Sequence, residues 1–119
     1  MANPFVHIEL LTTDVTRAKE FYTGLLDWQL EDVPGMDYTL IKVGEGTGGG
    51  MMKHPMLNAP SCWIPYILVD DVNITTVKAQ SLGATVVKEV TEIPQMGWFS
   101  VIIDPTGASI AFWQMNSSG

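Results

Sequence analysis

The sequence predicts an α+β fold: one domain over residues 1–119, made of two βαβββ modules in tandem at 5–55 and 62–114. Three observations predict it. Short segments with apolar residues at every second position alternate with segments that carry them at helical spacing. Their order, one strand, one helix and three strands, runs through twice. A shift of 57 positions lays the second run on the first, matching Asp71 to Asp14, Val72 to Val15 and Leu82 to Leu25. Such repeats point to paired modules that each bury a sheet face against the other.

In the first module, Phe5 to Leu11 alternates as a strand, with Val6, Ile8 and Leu10 on one face and Phe5, His7, Glu9 and Leu11 on the other. Asp14 is placed to N-cap a helix, along which Val15, Ala18, Phe21, Tyr22, Leu25 and Leu26 recur at helical spacing. Trp28–Val33 and Tyr38–Val43 follow as strands, parted by a Pro34-Gly35 turn. The run Gly44–Gly50 reads as a flexible connection to a fourth strand at Met51–Lys53. It lacks the Lys-Ser/Thr of a phosphate-binding loop and joins strands instead of opening a helix, which excludes that reading. His54–Cys62 holds two prolines and no periodicity, and reads as a linker with His54 at the surface.

In the second module, Trp63–Val69 is a strand with Pro65, Ile67 and Val69 on one face and Ile64, Tyr66 and Leu68 on the other. Asp71 caps a helix over Val72–Leu82, which Gly83 ends. Thr85–Val90, Trp98–Ile103 and Ser109–Gln114 are strands, the last two joined by the tight turn Asp104-Pro105-Thr106-Gly107. Residues 116–119 are a polar tail. Phe21, Leu25 and Leu82 need apolar partners, so the helices are expected to rest on the faces of Val6, Ile8 and Leu10 and of Pro65, Ile67 and Val69. His7, Glu9, Tyr66 and Trp113 then fall on the opposite faces.

Composition excludes several function classes. The net charge is −7, and the six Lys and Arg are scattered, so no basic patch exists to displace counterions from nucleic acid or an anionic membrane. No apolar run approaches the roughly 20 residues that span a bilayer. Cys62 is the single cysteine, which rules out an internal disulfide and a Cys-rich zinc site. The first residues are not a basic segment leading into an apolar one. A cytoplasmic, reducing location is expected.

Four short stretches carry a resemblance: His7 seven residues before Asp14, Ala18-Lys19-Glu20-Phe21-Tyr22, Val69-Asp70-Asp71-Val72, and Asp104-Pro105-Thr106-Gly107. In this order and spacing the sequence resembles the glyoxalase/bleomycin-resistance/dioxygenase superfamily, the vicinal oxygen chelate group, from Phe5 to Gln114. The resemblance implies a curved, cup-shaped mixed sheet with the helices outside. In chelating members it implies a metal held by four ligands from the first and last strands of each module. Carried over one at a time, those positions fall on His7, near Met51, on Ile64 and on Ala111. Only His7 offers a donor, and a lone imidazole does not hold a catalytic divalent ion. Neither metal nor other cofactor is expected.

His7 and Glu9 stand two apart on one strand and so share a face. A polar pair in an apolar cavity is costly unless hydrogen-bonded or touching a ligand. They are the catalytic candidates. The ligand-binding candidates are His7, Glu9, Met51, Tyr66 and Trp113: Tyr66 joins an apolar ring to a hydroxyl, and Met51 and Trp113 offer adaptable and aromatic surface. The alternative for His7 and Glu9 is a satisfied polar pair at a dimer or module interface, or a relic of an ancestral metal site. For Tyr66 it is ordinary packing, and for Met51 and Trp113 core packing or subunit contact. The expected partners are a small-molecule ligand and a second copy in a homodimer, because four Trp and seven Met give more apolar surface than one small domain hides. Three functions fit: metal-free binding, with or without turnover, of a small apolar or aromatic metabolite; a divalent-metal-dependent lyase, isomerase or dioxygenase; and a drug-sequestering resistance protein. The number of metal donors in the cup separates them.

Overall fold

The computed structural model of the chain describes residues 2–116. Its elements are β1 (Phe5–Thr12), α1 (Val15–Leu25), β2 (Gln29–Asp32), β3 (Thr39–Lys42), β4 (Gly49–Lys53), β5 (Cys62–Leu68), α2 (Val72–Ser81), β6 (Thr85–Ile93), β7 (Gly97–Ile103) and β8 (Ser109–Met115). This is βαβββ twice, and every expected strand and helix is present within a few residues of its expected ends. Of the polar tail, only Asn116 lies within the described residues. The described residues form two compact units: an N-terminal unit of His7–Ile64, and a C-terminal unit of residues 2–6 together with 65–116.

In the N-terminal unit the strands lie in the order β2-β3-β4-β1. β2, β3 and β4 are antiparallel neighbours, and β4 runs parallel to β1 with Glu9 opposite Gly50 and Leu10 opposite Met51. Leu10, Ile41 and Met51 are buried on one face, where Val15, Ala18 and Tyr22 of α1 pack against them with Trp28, Leu30 and Val43. Removing the Leu10, Ile41 and Met51 side chains from water contributes about 1.5–3 kcal/mol each. Asp14 caps α1 as its position predicts, its Oδ1 accepting from Arg17 N–H at 3.0 Å. Two expectations need correction. Ile8 is not a core residue but 37% exposed, because the apolar core begins only at Leu10. Phe21 and Leu25 are also exposed, since α1 meets the sheet through Val15, Ala18 and Tyr22.

In the C-terminal unit the order is β5-β8-β7-β6, with β5 parallel to β8 and the other neighbours antiparallel. Asp71 caps α2, accepting from Ile74 N–H at 3.0 Å, and Gln114 Oε1 on β8 accepts from Val72 N–H at 2.8 Å. Val72 and Thr76 are the buried residues of α2. Thr76 Oγ donates to the Val72 carbonyl at 2.6 Å, so the proton in its 2.8 Å contact with buried Ser100 comes from Ser100. Leu82, expected against the sheet, is exposed at the end of α2, with Gly83 at φ +105 behind it. In the turn before β8, the Asp104 carboxylate accepts from Thr106 N–H and Oγ–H and from Ala108 N–H. On β5 the more deeply buried face carries Ile64 and Tyr66, while Trp63 is 39% exposed. Apolar character alone does not reveal which face of a strand lies deeper.

Candidate functional site

Alternation along β1 puts His7 and Glu9 on one face, and the β1–β4 register sets Gly50 beside Glu9 on that face. Tyr38, directly ahead of β3, completes the group. Its hydroxyl donates to Glu9 Oε1 at 2.9 Å and lies 2.7 Å from His7 Nε2, with the two rings nearly parallel. A phenol has one proton. With that proton on the Glu9 carboxylate, His7 must donate through Nε2–H. The line therefore has a direction, from imidazole to phenol to carboxylate. Glu9 is only 9% exposed. Burial lowers the His7 pKa below its ordinary 6.5 by desolvating the imidazolium, so the ring is neutral at pH 7.

The phenol fits because residue 50 has no side chain. A Cβ on Gly50 would overlap the Tyr38 hydroxyl, and its three nearest atoms would all belong to the Tyr38 side chain. A Cβ on Gly49 would instead strike the Ile8 carbonyl. The end of the glycine run is thus buried strand built for close approach, not the flexible connection expected. Only its start turns the chain, with Gly44 and Gly46 at positive φ.

Tyr66 and Trp113 stand on the C-terminal unit. Tyr66 is opposite Ala111 on β8, and two residues on, Trp113 is opposite Phe99 on β7. Tyr66, Ala111, Trp113 and Phe99 therefore share a face, with the Tyr66 and Phe99 rings 6.2 Å apart. The Trp113 indole covers Gly97, where a Cβ would sit 2.8 Å from Cζ2. Met51 is elsewhere: it is fully buried beside Leu10 on the α1 side of its strand. His54 caps its own loop by accepting from Met56 N–H at 3.1 Å. Two clefts of the N-terminal unit, one along Gln29, Lys42 and Gly46 and one along Thr12, Arg17 and Phe21, include none of His7, Glu9 or Tyr38.

Sequence reasoning found His7 and Glu9 but not Tyr38 or Gly50. The available signal was Tyr38 opening an alternating strand. Joining it to residues 29 and 31 positions away needs the register of three strands. The side chains present do not fit a chelated divalent ion. Ile64, Ala111 and the Gly50–Met51 pair bring no donor, and among the described residues no three His, Cys, Asp or Glu side chains gather at a common point.

Residues 5–112 match the sequence profile of the Glyoxalase/Bleomycin resistance protein/Dioxygenase superfamily. CFP32 of Mycobacterium tuberculosis, whose name provisionally ascribes glyoxylase activity to it, is 39% identical over 103 residues, covering 84% of this chain and 40% of CFP32. The anthracycline biosynthesis protein DnrV of Streptomyces peucetius is 26% identical, covering 89% of this chain and 45% of its own. The chain thus spans less than half the length of these relatives. Methylmalonyl-CoA epimerase from Mycobacterium tuberculosis shares the fold with a TM-score of 0.68 at 16% identity, over 96% of this chain and 89% of the epimerase. The repeated βαβββ order, the profile match over nearly the whole chain and this shared fold agree: the chain belongs to the glyoxalase/bleomycin resistance protein/dioxygenase superfamily.

Proposed function

We propose that this chain binds a small apolar or aromatic metabolite without a metal ion, through the face of β1 and β4 that carries His7, Tyr38 and Glu9. The observation behind this reading is the hydrogen-bonded line itself, with a 9%-exposed carboxylate at one end and a neutral, half-buried imidazole at the other. Such a line orients a ligand hydroxyl or carbonyl, and Glu9 is its proton acceptor. The missing donors near Met51, at Ile64 and at Ala111 support metal-free use. The name of DnrV refers to anthracycline biosynthesis, and anthracyclines are aromatic compounds, which supports an aromatic ligand. Tyr66 and Trp113 are aromatic contact candidates on their own unit. A cytoplasmic homodimer belongs to the same reading, supported by the exposure of Phe5, Phe21, Leu25, Met56 and Leu57.

The test is titration of the purified protein with an anthracycline and with catechol, followed by tryptophan fluorescence, before and after EDTA. Metal content is measured on the same sample. The expected result is a dissociation constant that EDTA leaves unchanged and that Glu9→Ala weakens about tenfold or more, the worth of one hydrogen bond to a charged group. One zinc, nickel, iron or manganese per chain, lost with His7→Ala, would favour the metal-dependent lyase, isomerase or dioxygenase instead. Tight anthracycline binding with the ligand recovered unchanged would favour the drug-sequestering role.

A further inference from the structure

The polar line depends on a residue that takes no part in it. Tyr38 reaches His7 and Glu9 only by lying across β4 at Gly50, in the volume that any other residue's Cβ would fill. Turning the phenol about its own axis does not relieve that overlap, because the two nearest atoms, the hydroxyl oxygen and Cζ, lie on that axis. A side chain at residue 50 therefore moves the whole ring, and both hydrogen bonds go with it. We propose that Gly50 is the positioning residue of this site: it seats the Tyr38 phenol between His7 and Glu9 and so fixes the imidazole as donor and the carboxylate as final acceptor. With the phenol displaced, His7 and Glu9 would lose the partner that sets their hydrogen-bond roles. Gly49 is the natural control, because its Cβ would meet the β1 backbone at Ile8 and not Tyr38. The inference goes beyond the proposed function, since it rests on contacts within one unit and holds whatever ligand binds.

The experiment compares Gly50→Ala, Gly49→Ala and Tyr38→Ala with the doubles Gly50→Ala/Tyr38→Ala and Gly49→Ala/Tyr38→Ala. It reads thermal melts and the nitrogen-15 NMR signals of the His7 ring. Gly50→Ala should lower the melting temperature by about 8 °C or more in the wild-type background and by less than about 3 °C beside Tyr38→Ala. Gly49→Ala should cost the same with or without Tyr38. Where Gly50→Ala folds, its His7 Nε2–H signal should move as it does in Tyr38→Ala. Should Gly50→Ala alone fail to fold, recovery of the folded protein in the double variant supports the proposal and failure of the double overturns it. An equal Gly50→Ala penalty in both backgrounds, or an unmoved His7 signal, overturns it as well. No ligand enters these measurements, so their failure is distinct from failure of the binding reading.

Discussion

Tyr38→Phe removes a single oxygen and leaves the ring in place over Gly50. Two hydrogen bonds are lost: the 2.9 Å donation to the Glu9 carboxylate and the 2.7 Å contact with His7 Nε2. A bond to a charged group contributes about 1.5–3 kcal/mol and a neutral one about 0.5–1.5. Both partners keep other interactions, which places the expected loss in the lower half of that sum, at about 2–3 kcal/mol. For a chain of this size that lowers the melting temperature by about 8–12 °C. Tyr22→Phe is the control, because Tyr22 packs against Phe21, Trp28 and Trp63 through its ring and no hydrogen bond involves its hydroxyl among the described residues. It should change stability by less than about 0.5 kcal/mol. Urea unfolding followed by circular dichroism reads both, with an unchanged m-value showing that the native fold is kept. Equal losses in the two variants would refute the hydrogen-bonded line.

Leu10→Ala should cost about 2–5 kcal/mol, while Ile8→Ala, two residues away and 37% exposed, should cost about 1 kcal/mol or less in the same urea assay. Thr76→Val leaves the fully buried Ser100 hydroxyl without its 2.8 Å partner and should cost about 1–3 kcal/mol. Adding Ser100→Ala should recover much of that loss, because removing both partners leaves nothing unsatisfied. Acid should also destabilise the protein through His7. Its folded pKa lies below the unfolded 6.5, so the contribution is complete above pH 6.5 and is lost as pH falls through the folded value. Melting temperatures between pH 7 and 5 should fall less steeply in His7→Phe than in the wild type. Asp32, held low mainly by its hydrogen bond from Lys19, and Asp104, held low mainly by Thr106, act below their ordinary 3.8, outside that window.

The fold was legible because its signals are local. Asp14 and Asp71 announce helix starts by chemistry within three residues, and both cap as expected. Alternation on β1 places His7 and Glu9 on one face without knowledge of any neighbour. Depth is another matter. Ile8 and Leu10 are equivalent in an alternating pattern, yet α1 and β3 reach only Leu10, so one is exposed and the other is core. Met51 looked like pocket surface for the same reason: its type suits a cavity, and only the register opposite Leu10 turns it inward. Tyr38 and Gly50 were unreadable in a stronger sense. Each is unremarkable alone, and their meaning lies in one overlap between two strands.

That overlap bears on how a ligand could use the site. Chelation needs donors aimed at a shared point and free of each other, whereas here one phenol engages both the imidazole and the carboxylate. A ligand that displaces the phenol gives up two hydrogen bonds worth together about 2–3 kcal/mol, or about 30- to 150-fold in affinity. A ligand that docks against the line without breaking it gives up none. The two modes leave opposite signatures in Tyr38→Phe. A displacing ligand binds that variant more tightly, because the bonds it would have broken are already absent. A docking ligand binds it more weakly, because Nε2–H of His7 and the Glu9 carboxylate are no longer tied to one another through the phenol. Weaker binding of the anthracycline probe to Tyr38→Phe, together with weaker binding to Glu9→Ala, is the outcome that an intact line requires.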